Sequence, residues 1–96
     1  MRKLILIATL TLSTVAQADY CQDIEGLART IMDNRQSDVS LVSMIEVLKD
    51  NELAKEMVLE AYEKPMFSGK AYKDKSINKF ANTWYMACLK SNKAGG

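Results

Sequence analysis

Cys21-Gln22-Asp23-Ile24-Glu25-Gly26-Leu27-Ala28-Arg29-Thr30-Ile31-Met32 is the stretch that decides the fold. Ile24, Leu27, Ala28, Ile31 and Met32 recur at the i, i+3, i+4, i+7 spacing of one buried helix face. Cys21 precedes Ile24 by three positions, close to one helical turn, so its sulfur shares that face. The spacing predicts a helix from about Tyr20 to Asn34. Arg35-Gln36-Ser37-Asp38 then breaks the pattern and supplies capping side chains.

Upstream, the chain changes character. Met1-Arg2-Lys3 is a short basic head, Leu4 to Leu12 is an uncharged, mostly apolar run, and Ala16-Gln17-Ala18 is the small-x-small pattern that a signal peptidase accepts. Crossing a bilayer takes about 20 apolar residues, and this run is shorter and carries Thr and Ser. Residues 1–18 therefore read as a cleavable secretory signal peptide, and 19–96 as a single domain. Cys21 follows Asp19-Tyr20. Tyr is too bulky for the residue before a lipid-modified cysteine, so the product is expected to be soluble and without a stable membrane insertion.

Downstream, three more helices follow. Leu41, Met44, Ile45 and Leu48 form the stripe of a helix from about Leu41 to Asp50, with Ser40 or Asp38 as N-cap. Leu53, Ala54, Met57, Val58, Ala61 and Tyr62 line one side of a helix from about Glu52 to Lys64. Glu52, Glu56, Glu60 and Glu63 line its other side, and Pro65 stops it. Residues 65–75 read as a loop because of Pro, Ser-Gly and clustered lysines. The last helix is expected from about Ser76 to Leu89, with Ile77, Phe80, Ala81, Trp84, Ala87 and Cys88 on one face and a frayed end from Asn92. No stretch alternates with period two. The fold class is all-α, a small bundle of three to four helices.

An exported chain with two cysteines, Cys21 and Cys88, is expected to join them. The bond would tie the start of the first helix to the end of the last, and if both pack along their apolar faces those two helices run antiparallel. Closing a loop that spans nearly the whole domain is worth roughly 4 kcal/mol in the chain-entropy model.

The inventory of reactive groups is sparse. Histidine is absent, which removes the commonest general base and the commonest transition-metal ligand. A disulfide leaves no thiolate, and the four glycines are too scattered to cradle a phosphate. Glu52, Glu56 and Glu60 share a helix face, but calcium loops draw their ligands from tight Gly-containing turns. That face reads instead as solvated, with Lys49 and Lys55 nearby for ion pairs. No catalytic residue, metal or cofactor is expected, and the chain is not expected to be an enzyme.

Charge is divided unevenly. Residues 19–63 carry eleven acids against four bases, while residues 64–96 carry seven lysines against Asp74 alone. Within the basic part, Lys64, Lys70, Lys73, Lys75 and Lys79 interleave with Met66, Phe67 and Tyr72. Aromatic residues beside cations in a loop are typical of contact surfaces, so these eight residues are the candidate partner-binding set; the alternative for Met66 and Phe67 is that they fold under the loop as satellite core. Nucleic acid is not expected as the partner, since export separates the chain from it and the total charge is not basic.

Three pieces of the chain resemble small exported helical proteins of Gram-negative bacteria and their phages, most of them uncharacterised. They are Cys21 with Leu27-Ala28, Ile31-Met32 and Arg35-Gln36; Ala61-Tyr62 with Pro65; and Phe80 with Trp84-Tyr85 and Cys88. The resemblance implies a periplasmic or secreted setting and no established activity. The organisation is also similar to the periplasmic acid-stress chaperones of enteric bacteria, which carry a charged helix after their second cysteine, whereas Cys88 here lies near the end. The expected function is that of a protein-binding module, of the inhibitor or immunity-factor kind. The alternative is a periplasmic acid-stress chaperone, and a structural envelope component is a third class.

Overall fold

The computed structural model describes residues 20–95, with side chains to residue 91. The signal peptide read over residues 1–18, its cleavage point and Gly96 lie outside them. The described residues form four α-helices and no strand: α1 over 20–36, α2 over Leu41–Leu48, α3 over Glu52–Glu63 and α4 over Lys70–Gly95. The all-α expectation holds.

The expected face of α1 is the one that is buried. Cys21, Ile24, Ala28, Ile31 and Met32 are all in the core, with Leu27 packed beside them. Met44 arrives from α2, Ala54, Met57, Val58 and Ala61 from α3, and Phe80, Ala81 and Cys88 from α4. The Cys21–Cys88 disulfide is present, with its Cα atoms 5.6 Å apart. Arg29 Nη1 donates to Asn78 Oδ1, and Gln36 Nε2 lies 3.5 Å from Ser76 Oγ. Partners on α4 thus come earlier in sequence as those on α1 come later, so α1 and α4 run antiparallel.

Local chemistry explains most of the ends. Ser40 caps α2 by accepting the N–H of Ser43 at 3.1 Å, and Asn51 caps α3 by accepting the N–H of Ala54 at 3.0 Å. The end of α1 differs from expectation. Arg35 and Gln36 stay helical, and the chain reverses only at Asp38, whose φ is 65°. Val39 N donates to Asn34 O at 3.0 Å and Asp38 N to Arg35 O at 3.2 Å, the paired bonds of a Schellman closure. α2 ends at Leu48, the last residue of its apolar stripe and two residues short of the expected Asp50.

The largest departure is α4. It begins at Lys70, not Ser76, and its helical backbone extends over 26 residues to Gly95. From the sequence, Pro65, Ser68-Gly69 and the clustered lysines read as loop through residue 75. In the fold, Lys70 Nζ pairs with Asp74 one turn on at 2.7 Å, and Lys73 N donates to Gly69 O at 2.9 Å. Lys and Ala are good helix formers, and no breaker follows Gly69. The loop shrinks to residues 64–69.

Candidate functional site

Two adjacent residues at the end of α1 hold that short loop. Arg35 stacks its guanidinium 5.1 Å from the centre of the Tyr62 ring and donates from Nε and Nη2 to Lys64 O, at 3.2 and 3.0 Å. Gln36 is only 2% exposed. Its Oε1 accepts the N–H of Phe67 at 2.9 Å, while its Nε2 donates to Pro65 O at 3.0 Å. The donor and acceptor pattern fixes which way the amide points. Read from the sequence as a surface cap, Gln36 is instead a buried bracket that satisfies two loop main-chain groups at once. On the same turn, Lys73 Nζ donates to Gln36 O, filling an orphan carbonyl at the negative end of the helix.

So held, the loop forms one wall of a cleft of about 570 Å³. Met32 and Phe80, both buried, lie at its base, and Pro65, Phe67 and Tyr72 extend the apolar lining. The Phe67 and Tyr72 rings are 6.2 Å apart. Lys64, Lys75 and Lys79 are exposed residues that also line it, with Glu60. Cavities of a few hundred Å³ lined by apolar groups with a few charges are typical ligand-receiving sites.

The structure divides the eight residues of the expected partner-binding set. Lys64, Phe67, Tyr72, Lys75 and Lys79 come together at the cleft. Met66 is exposed but does not line it, Lys70 is engaged with Asp74, and Lys73 reaches back to Gln36. Asp74 also holds Lys70 above the usual lysine range through its hydrogen bond and charge. Sequence reasoning missed Met32, Glu60 and Phe80 as cleft residues. Their spacing marks only a helix face and not which gap between helices stays open.

On the other side of α3, Tyr62 donates its hydroxyl to Val39 O at 2.5 Å. Burial and, to a lesser degree, the charge of Asp38 push the phenol above its ordinary range, and the nearby Arg35 only partly offsets this. Among the described residues no cluster of three His, Cys, Asp or Glu is placed to hold a metal ion, and no helix is long and apolar enough to cross a membrane. No protein-family model, curated protein or solved structure matches this chain.

Proposed function

We propose that this protein is an exported helical module that captures another protein in the cleft beside Phe67, in the manner of an inhibitor or immunity-type factor, and that it performs no catalysis. The observation that carries the reading is an apolar cleft with lysines at its edge and a loop wall hydrogen-bonded to α1. Gln36 and Arg35 hold the loop wall before any partner arrives, which lowers the ordering cost of binding. The lysines favour a partner whose contacting surface is acidic. A periplasmic or secreted location is supported by the Cys21–Cys88 bond, which persists in oxidising compartments, and by the export pattern of residues 1–18. Intact-mass measurement of the exported protein should give a chain that starts at Asp19.

The test is capture from a periplasmic or extracellular fraction by wild-type protein and by two variants, followed by kinetics with the purified partner. Lys75→Glu with Lys79→Glu should mainly slow association. Phe67→Ala should mainly hasten dissociation while leaving the melting temperature nearly unchanged. Equal capture by all three proteins would place the contact elsewhere and sink the reading. Suppression of client aggregation that appears only near pH 2–3, about the range where carboxylates protonate, would instead favour the acid-chaperone alternative.

A further inference from the structure

The exposed side of α3 carries one apolar residue set among carboxylates. Glu52, Glu56, Leu59 and Glu63 are all exposed and follow one another at i, i+4, i+7 and i+11, so they form a single stripe along the helix. Leu59 is 54% exposed, on the side of α3 opposite the buried Ala54, Met57, Val58 and Ala61, and it is the one apolar member of this acidic stripe. Glu56 and Glu63 lie about one turn before and after it.

The cleft is the counterpart of that stripe. Its base is apolar, and Lys75 and Lys79 stand one turn apart on α4, with Lys64 on the facing loop. Glu60, which lines the cleft, is the neighbour of Leu59 in sequence and about a quarter-turn around α3 from it. Glu60 thus joins the flank of the stripe to the wall of the cleft. Tyr62, which points toward α2 through Val39, is on the stripe's other flank. A surface that carries a shape beside its own complement can pair with a copy of itself about a twofold axis, and both contacts then form at once and close.

We infer that this chain forms a twofold homodimer in which Leu59 of each copy enters the cleft of the other. Glu56 and Glu63 of each copy pair with Lys75 and Lys79 of its mate. The uneven charge of the chain, acidic through α3 and basic through α4, is the long-range counterpart of the same arrangement. The dimer would occupy the cleft proposed for partner capture, so a foreign partner would compete with the second copy. The inference stands independently of that capture reading.

Sedimentation equilibrium tests it, on the protein in the form its cells accumulate and across micromolar to millimolar concentration. The average mass should double at low salt and return to the monomer in about 1 M salt, where the screening length falls to about 3 Å. Leu59→Asp should be monomeric throughout and should melt like wild type at concentrations where both are monomers, because its side chain is exposed in the monomer. Two charge-reversed proteins complete the test, Lys75→Glu with Lys79→Glu, and Glu56→Lys with Glu63→Lys. Each alone should be monomeric, because like charges would meet at both contacts, and an equimolar mixture should form a one-to-one dimer. A wild-type monomer at millimolar concentration in low salt overturns the inference, as does a dimer that survives Leu59→Asp or a mixture that stays monomeric. A mass that climbs beyond the dimer overturns the closed twofold arrangement.

Discussion

Gln36 Oε1 accepts the main-chain N–H of Phe67 at 2.9 Å across 31 residues of sequence, and through that bond the end of α1 sets the position of the cleft wall. The same side chain returns a bond to Pro65 O. Gln36→Leu should take the partner from both part-buried loop groups, at about 1 kcal/mol each. Hydrogen exchange should then speed at Phe67 before it speeds in the helices. Gln36→Glu is the more discriminating variant. Its carboxylate can accept from Phe67 but cannot donate to Pro65 unless protonated. Burial should raise its folded pKa above the unfolded value, so its stability should be fully present below about pH 4 and lost as pH rises through the raised value. A melting temperature that does not climb on acidification relative to wild type would contradict this role for the amide.

The disulfide closes 67 residues of separation. Cys21→Ser or Cys88→Ser should cost about 2–5 kcal/mol, a large part of what a domain of this size has available. Chemical denaturation measures the loss, and thiol titration of the unfolded native protein should find no free thiol. Two titratable thiols would show that the bond does not form in the cell.

Tyr62 predicts an alkaline limit. Its folded pKa is raised, chiefly by burial, so the neutral phenol that bonds Val39 O is favoured in the native state. The corresponding stability is fully present below the ordinary tyrosine value of about 10. It fades as pH rises through the higher folded value, because the unfolded chain ionises first. Tyr62→Phe should cost about 1 kcal/mol at neutral pH and flatten the alkaline decline. An unchanged slope in urea titrations between pH 9 and 11, a range around that value, would assign the decline to other groups.

Trp84 is half-buried against Phe80, ring centres 6.4 Å apart, and its Nε1 is buried with no hydrogen-bond partner among the described residues. Removing an unsatisfied donor recovers part of what the smaller ring loses in packing. Trp84→Phe should therefore shift stability by less than about 1.5 kcal/mol. Phe80→Ala, in the base of the cleft, should cost about 3–5 kcal/mol. Equal losses for the two changes would mean that Trp84 contributes as a core residue in full.

Spacing along the chain determined which side of α1 and of α3 is buried, whereas Leu41 and Ala87, placed on the apolar faces of α2 and α4, are exposed. Ile24, Ala28, Ile31 and Met32 had to face inward together, because a helix returns to the same side every 3.6 residues and apolar groups leave water. The two cysteines, one near each end, determined that the first and last helices meet antiparallel. Only the tertiary structure decided where α4 begins and what Gln36 does. Lys70 to Lys75 look like loop when their charges are counted in isolation, and become helix once Gly69, Asp74 and the carbonyl of Gln36 supply partners. A buried glutamine satisfied from 29 and 31 residues away leaves no local signature, since its partners are main-chain groups that every sequence possesses. The cleft is of the same kind: Met32 and Phe80 show by their spacing that they turn away from water, but only the packing of α1, α3 and α4 leaves a gap between them for something else to fill.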